Sequence, residues 1–537
     1  MGSIGDYYEP KAPNKVGKGV KSHYEIVEEP SRSGRKIRII VIGAGASALN
    51  FAHDIDTGTL DTDLVLYERI PRLVALGIAE RYGLRKYIRL GHDVVGAFWD
   101  EHDKQWHVRI QRGDDPDDVF EDSGHILVNA SGVLSKWKWP DINGRETFQG
   151  PMLHSAHWDD GVQLQGKRVA VIGSGSSAVQ IIPSIQPSEF HSHASWVTAG
   201  FGQRFAGKGG TNFRYTEKQK DIFLNDPQKY LAYRKNIESE LNSRFRFILN
   251  GSEEQANARK YAEKDMRSKL ADRPEIADSI VPKDFAVGCR RPTPGNGYLE
   301  ALCSENTSVV SQSIAEITPN GIKTADGSEH EVDVIVCATG FDVSWRPSYP
   351  TIGRESRSLS EQWKDIPRTY LSITIPNFPN YLIFNGPFGP YGHGSFLPIT
   401  ETLSRHFLQI LEKMSSEGVT SFDPKAEAVA DFFEHHRNFM PRTAWTSPCR
   451  SWFKQGTVDG EVMMWPGSRI HFFETMKQPR WEDYNLSYTT SNRFGYLGNG
   501  FAAREFDGSD LSWYLGTIIG NELAHLPDDD FEEFLVQ

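Results

Sequence analysis

Beyond an N-terminal stretch of about 34 residues rich in Lys, Pro and Gly, which reads as a flexible arm, apolar runs and polar turns alternate along the chain in a pattern that occurs twice. KIRIIVIGAGASALNFAHDI opens with β-branched residues, passes through a glycine-rich turn and continues with apolar residues at helical spacing. That pattern predicts strand, tight loop and helix. DTDLVLYE follows as a second strand ending in Glu68, and WHVRIQ and GHILVNASG predict further strands of the same unit. At KRVAVIGSGSSAVQIIPSI the strand–loop–helix pattern starts again about 130 residues later, a period too long for a solenoid and suited to two domains of one type.

Residues from 213 to about 280 change character. Asp226-Pro227 predicts an N-cap with proline in the first helical position. Tyr230, Arg234, Ile237, Leu241, Phe245, Ile248 and Leu249 then recur at helical spacing, which predicts a helical insertion in the second domain. EVDVIVCATGFD is a buried strand leading into a glycine turn that returns the chain to the first domain. The remainder is rich in aromatics, Gly and Pro (NGPFGPYGHGS, WTSPCRSWFK, WPGSRIHFF), a composition of loops that cover a pocket. LSWYLGTIIG, near the C-terminus, reads as a short buried element. The fold class is therefore α/β: two doubly wound dinucleotide-binding domains with a helical insertion.

Composition bounds the function. The 537 residues are 38% hydrophobic and 24% charged, enough for two or three cores. A formal net charge of −12 argues against nucleic acid or an anionic membrane as the main partner, so an anionic cofactor must be held by local positive charge and helix ends. Cys289, Cys303, Cys337 and Cys449 show no metal spacing. A disulfide framework is not expected from them, and a reducing cytoplasmic setting fits better. The N-terminus lacks an apolar signal core, and no run of eighteen apolar residues offers a transmembrane helix.

The chemistry concentrates in the two loops. In Gly43-Ala44-Gly45-Ala46-Ser47-Ala48, Gly43 permits the tight turn, Gly45 lets backbone approach a pyrophosphate, and Ala48 allows close helix–strand packing. Glu68, 25 residues after Gly43, stands where a carboxylate accepts from ribose hydroxyls. The second loop repeats the design with Gly173, Gly175, Ser176 and Ala178. Two such loops imply two dinucleotides, a flavin and a nicotinamide nucleotide.

Just ahead of the second loop lies Phe148-Gln149-Gly150-Pro151-Met152-Leu153-His154-Ser155-Ala156-His157-Trp158-Asp159. Here the chain resembles the Baeyer–Villiger monooxygenases, whose fingerprint F-x-G-x-x-x-H-x-x-x-W is matched by Phe148, Gly150, His154 and Trp158. Read without the family, His154 is more often a satisfied linker histidine than a catalyst. The resemblance covers nearly the whole chain and implies FAD and NADPH as cofactors, with a ketone and molecular oxygen as substrates. It implies a discontinuous FAD-binding domain, 35–150 and 330–537, and an NADP-binding domain, 151–329. It places Arg291, in VGCRRPTPGNGYLEAL, as the active-site arginine that steadies the negatively charged oxygen species attacking the ketone. By the same resemblance Arg290 meets the extra phosphate of the nicotinamide nucleotide, Trp452 contacts that cofactor, and Asp342 in VCATGFD lies at a strand-end turn beside the flavin. The late motifs HGS, SPCRSW, WPGS and RWEDY are similar to fungal enzymes of the hydroxyversicolorone monooxygenase type, which act on polyketide ketones in secondary metabolism.

The chain departs from that family in two places. After the ribose-binding acid the family carries a stretch that runs under the flavin and supplies an Asp orienting the active-site arginine. Here only 13 residues separate Glu68 from Tyr82, and the stretch is absent. Either the natural protein carries it and this sequence has lost it, or the chain kept the scaffold and gave up flavin chemistry. After the second loop, Ser192 and His193 stand where the family places a phosphate-gripping arginine, with Arg204 or Lys208 as nearby replacements. A weaker preference for NADPH over NADH follows from that loss. Three functions compete: a ketone-oxidising monooxygenase, an N- or S-oxygenating flavoprotein, which Trp158-Asp159 disfavours, and a non-catalytic relative.

Overall fold

The computed structural model describes residues 24–71, 75–185, 189–191, 195–197, 203–207, 212–291 and 293–516. In chain order the first elements are β1 (Ile37–Ile42), α1 (Ala46–Asp56), β2 (Thr62–Glu68), α2 (Leu76–Arg81), β3 (Ile88–Leu90), β4 (His92–Asp100), β5 (Gln105–Arg112), β6 (Val119–Gly124) and β7 (Ile126–Asn129). They are followed by β8 (Met152–His154), β9 (Val169–Ile172), α3 (Ser176–Ile185), β10 (Glu189–His191), α4 (Glu217–Asn225), α5 (Pro227–Asn242), α6 (Glu253–Lys269), α7 (Pro274–Ile280) and α8 (Tyr298–Leu302). Next come β11 (Ser308–Val310), β12 (Ile314–Thr318), β13 (Gly321–Thr324), β14 (Glu329–Glu331), β15 (Val334–Cys337), β16 (Thr351–Ile352) and β17 (Tyr381–Ile383).

Two parallel five-stranded sheets result. The first runs β17-β7-β1-β2-β3 and the second β11-β10-β9-β15-β8. β1 is flanked on both sides, with Ile37 opposite Thr62 in β2 and Ile39 opposite Ile126 in β7. Ile39, Ile40 and Val41 are wholly buried. A strand covered on both faces has no polar side to offer, which is why the run is continuously apolar. β9 is built in the same way between β10 and β15, with Ala170 and Val171 fully buried. β15 lies beyond residue 329 yet completes this second sheet. The two glycine-rich patterns therefore fold as two sheets of one design.

WHVRIQ forms a strand, but not in the first parallel sheet: β5 pairs antiparallel with β4 and β6, and β16 closes the edge. Its burial alternates, Trp106, Val108 and Ile110 inward and Arg109 outward, as a half-covered antiparallel strand requires. Beyond residue 213 the helices α4 to α7 follow. Asp226 accepts from the Lys229 N–H at 3.0 Å and Pro227 opens α5.

The described residues separate into two compact units: Lys36–Leu411 with Ser421–Leu486, and those up to Arg35 with Glu412–Thr420 and those from Ser487 onward. Both parallel sheets belong to the larger. In the smaller, residues 24–34 of the expected arm are held by backbone pairing, Pro30 with Gly498 and Ser31 with Ala502. Residues 1–23 lie outside the described residues. The reading of LSWYLGTIIG as buried is corrected: Leu511, Trp513, Tyr514 and Leu515 are all exposed, and residues from 517 onward lie outside the described residues. Among the described residues no helix is long and apolar enough to cross a membrane.

The cysteines also require a correction. Cys289 and Cys449, 160 residues apart, are joined in a disulfide with their Cα atoms 6.3 Å apart, while Cys303 and Cys337 are free. No local spacing signals such a pair, because only the tertiary fold brings the two segments together.

Burial sets a pH limit on the larger unit. His406 and His436 are almost wholly buried, and desolvation pushes each imidazole down to about 4. His406 Nδ1 meets the Met476 carbonyl and His436 Nε2 the Val462 carbonyl, each at 2.9 Å, as neutral donors. The unfolded chain takes up these protons near pH 6.5 and the folded chain does not. Their contribution is thus full above about pH 6.5 and is lost as pH falls toward 4, up to about 3 kcal/mol for each. Urea midpoints measured from pH 7.5 to 4.5 should fall over that window, with a smaller slope in His436→Gln. An unchanged slope in the variant would show that His436 is not held neutral.

Candidate active site

The two glycine-rich turns sit at the carboxyl ends of β1 and β9, where open parallel sheets place their ligands. Their construction matches residue by residue. Gly43 has φ +96°, and a Cβ there would stand 2.9 Å from the Ala130 carbonyl oxygen, just beyond β7. Gly173 has φ +130°, and its Cβ would stand 2.3 Å from the Ala338 carbonyl oxygen, just beyond β15. Any side chain would drive the strands apart. At Gly45 and Gly175 a Cβ would meet nothing within 4 Å, so the backbone there faces open space. Ala48 and Ala178 are fully buried and let each helix lie close on its sheet.

Neither Gly45 nor any other side chain caps the N-terminus of the 11-residue helix α1, so its first N–H groups remain available to an anion. Glu68 closes this turn: Oε2 accepts from the Ala44 N–H at 2.8 Å and Oε1 from the Ile70 N–H at 2.9 Å. A carboxylate has lone pairs left for ribose hydroxyls, so the first loop fits the adenosine diphosphate half of a flavin nucleotide.

The isoalloxazine half finds less. β2 is joined to β3 only by residues 69–87, of which 72–74 lie outside the described residues. Ile70, Leu76, Ile78 and Tyr82 along this connection are exposed apolar side chains, although the Tyr82 ring meets His53 edge-on at 4.7 Å. The residues present do not fit the ring half as well as the first loop fits the nucleotide half.

At the second loop Ser176, first residue of α3, meets Thr293 hydroxyl to hydroxyl at 2.9 Å, and Thr293 also bridges to Val197. This pins the Arg290–Thr293 segment beside the helix N-terminus. Arg291 is solvent-accessible, yet its surroundings lower its pKa through desolvation, and among the described residues no carboxylate pairs with it. Arg290 is half-buried, and its Nε is buried with no hydrogen-bond partner. Burial lowers its pKa first and the charge of Arg450 second. An orphaned guanidinium N–H beside a second cation fits an anionic ligand. Arg204 is exposed, whereas Ser192, His193 and Lys208 lie outside the described residues.

Asp342 turns inward at the strand-end turn, its backbone N–H on the Lys136 carbonyl at 2.9 Å and its Oδ1 accepting from the Ser344 N–H at 2.9 Å. Burial raises its pKa, but the bonds from Ser344 and the charges of Lys136 and Lys138 outweigh it and leave the carboxyl below its usual range. Trp452 is half-buried, 5.9 Å from the Tyr391 ring, which stacks on Trp345.

The fingerprint residues organise a crossing between strands. A Cβ on Gly150 would stand 2.3 Å from the Asp333 carbonyl oxygen and 2.8 Å from the Phe148 ring, so these two positions require each other. His154 ends β8 fully buried, opposite Cys337 in β15. Its Nδ1 accepts from the Ala156 N–H at 3.1 Å and its ring stacks on Trp137 at 4.7 Å. Burial, then the charge of His157, lowers its pKa. Trp158 is exposed. Sequence reasoning missed Trp137, Arg450 and the buried Lys454. The one signal for Arg450 was a cysteine beside it, matched by the cysteine beside Arg290.

No protein-family model matches the chain. Among curated proteins it is similar to FAD-binding monooxygenase tazF of Aspergillus terreus, 36% identical over 543 aligned positions that cover 90% of this chain and 96% of the relative. It is also similar to FAD-binding monooxygenase stcW of Emericella nidulans, 33% identical over 87% of this chain and 86% of the relative. The fold is that of a crystal structure of OTEMO with FAD and NADP, with a TM-score of 0.71 and 22% identity over 84% of this chain and 99% of that one. Cyclohexanone monooxygenase from Rhodococcus sp. Phi1 bound to NADP+ matches with a TM-score of 0.70 and 22% identity over 85% and 100%.

Proposed function

Since the chain belongs to the FAD-binding monooxygenases, sharing 36% identity across 96% of one of them, we propose that its reaction is the Baeyer–Villiger conversion of a ketone to an ester or lactone with NADPH as reductant. We place that reaction in fungal secondary metabolism, on a ketone of the kind oxidised by hydroxyversicolorone monooxygenase-like enzymes. The observation that carries the reading is Arg291, an accessible cation with no carboxylate partner among the described residues, on a segment pinned to the second glycine-rich turn. We propose an FAD-binding domain of 35–150 with the chain beyond β15, and an NADP-binding domain that runs from 151 past 329 to include β15, which pairs with β8 and β9 in the second sheet.

Bound FAD would pass the two electrons of NADPH to molecular oxygen, one oxygen atom entering the product and the other leaving as water. The chain's part is electrostatic and positional. Gly43, Gly45 and the open N–H groups of α1 would hold a pyrophosphate, and Glu68 a ribose. Gly173, Gly175 and α3 would do the same for the nicotinamide nucleotide, with Arg290 on its extra phosphate. Arg291 stays protonated at any working pH and donates a planar fork of N–H groups, which suits negative charge developing on an oxygen. Tyr391 and Trp452 supply an apolar wall that keeps water back.

With the family's segment restored after Glu68, aryl ketones incubated with NADPH should gain one oxygen atom as esters, one for each NADPH consumed. Amine N-oxides or sulfoxides formed while ketones remain untouched would overturn this in favour of N- or S-oxygenation. A second reading, a catalytically impaired relative, is favoured by the exposed apolar side chains Ile70, Leu76, Ile78 and Tyr82.

A further inference from the structure

The disulfide brings the segments of two arginines together, close enough for the charge of one to act on the other. Cys289 precedes Arg290 and Cys449 precedes Arg450, so a bridge with a Cα separation of 6.3 Å brings both guanidinium stems to one place in the larger unit. Arg290 is half-buried with an orphaned Nε, its guanidinium 6.0 Å from the Phe285 ring, and the charge of Arg450 is felt there. Lys454, almost wholly buried, feels the charge of Arg290 as well, but the Asp459 carboxylate acts on it more strongly and its Nζ is committed to the Ser447 and Val458 carbonyls at 2.8 and 2.9 Å.

Among the described residues neither Arg290 nor Arg450 has a carboxylate partner. Two guanidiniums that feel each other's charge, neither in an ion pair with a carboxylate among the described residues, repel, and the energetic cost falls when an anion of more than one charge lies between them. Among small ligands a phosphate monoester has that charge, and its oxygens match the planar N–H forks. The position selects the phosphate's carrier. Three residues beyond Arg290, Thr293 touches Ser176 at the N-terminus of α3, so a nucleotide pyrophosphate seated on that helix leaves its ribose near the arginine pair.

We propose that Arg450 is a specificity-determining residue for the reductant, gripping the 2′-phosphate of the nicotinamide nucleotide together with Arg290. It takes the part of the arginine that Ser192 and His193 replace, from a distant segment that the disulfide brings near. The preference for NADPH is thereby retained, where the sequence by itself implied a weaker one. This rests on the second turn being a nucleotide site, and the experiment separates the two.

Titration of the full 537-residue chain with 2′,5′-ADP and with 5′-AMP, by calorimetry, needs no flavin and no turnover. The wild-type chain should bind 2′,5′-ADP at least about tenfold more tightly than 5′-AMP, the scale of one charge-assisted hydrogen bond. Arg450→Gln should remove most of that preference and leave 5′-AMP affinity unchanged, and Arg450→Lys should restore part of it. If Arg450→Gln keeps the preference, or inorganic phosphate at equal concentration competes as well as 2′,5′-ADP, the assignment of Arg450 is overturned while the nucleotide site stands. If the wild-type chain binds neither probe, the nucleotide site itself is wrong and the proposal fails with it. Equal thermal melting of wild type and variants shows that lost binding is not lost folding.

Discussion

Purified as this 537-residue chain, the protein will carry little FAD and will show little or no ketone-dependent NADPH oxidation. The first glycine-rich turn, α1 and Glu68 can still hold pyrophosphate and ribose. The segment we propose to be missing after Glu68 leaves the ring half without its cover. Among its described residues the connection from Glu68 to β3 contains the short helix α2 and a 3-10 turn at Leu84–Tyr87, and Ile70, Leu76, Ile78 and Tyr82 on it are exposed. The alignment with the Aspergillus terreus relative spans 543 positions, more than this chain's whole length of 537, so that relative has residues without a counterpart here. An aromatic system burying about 150 Å² at about 25 cal/mol per Å² contributes roughly 4 kcal/mol, close to a thousandfold in Kd. Flavin absorbance per mole of protein measures the loss directly. Grafting the relative's segment after Glu68 should restore the yellow colour and ketone-coupled NADPH oxidation together. A full flavin complement and coupled turnover in the chain as it stands would refute this account of the site.

In the grafted chain, Arg291→Ala will separate the two halves of the reaction. NADPH should still reduce the flavin, because hydride transfer needs the nucleotide grip of the second turn and not this cation. Oxygen insertion should fall by at least about a hundredfold to a thousandfold, the effect of removing an oxyanion donor worth roughly 2 to 4 kcal/mol. Desolvation around Arg291, with no carboxylate among the described residues to offset it, makes the site one that pulls in negative charge. Arg291→Lys should recover little, since an ammonium gives a point charge without the fork. Rapid-mixing absorbance follows flavin reduction, and product mass follows insertion. Loss of reduction with insertion intact would sink the assignment.

Much of this molecule is local, and local order is legible in sequence. The two strand–turn–helix units required only a continuous apolar run, glycines where φ is positive and a Cβ has no room, and apolar spacing on a helix, all within about 20 residues. The cap at Asp226, the insertion helices and the strand character of WHVRIQ were legible for the same reason.

What the sequence left undecided depends on partners far along the chain. WHVRIQ has the period of a half-covered strand, but which sheet it joins is set by hairpin pairing with its neighbours. The apolar run at Leu511–Leu515 has no period that tells an inner surface from an outer one, and it lies exposed. Cys289 and Cys449 carry no spacing signal across 160 residues. Sequence marked Arg290 and Arg291 by resemblance, yet that Arg291 lacks a counter-charge among the described residues is a fact of the folded chain. The pairing of Arg290 with Arg450 is likewise decided only in three dimensions, because like charges are brought together by a covalent bond and a folded core and not by any attraction their own sequence encodes.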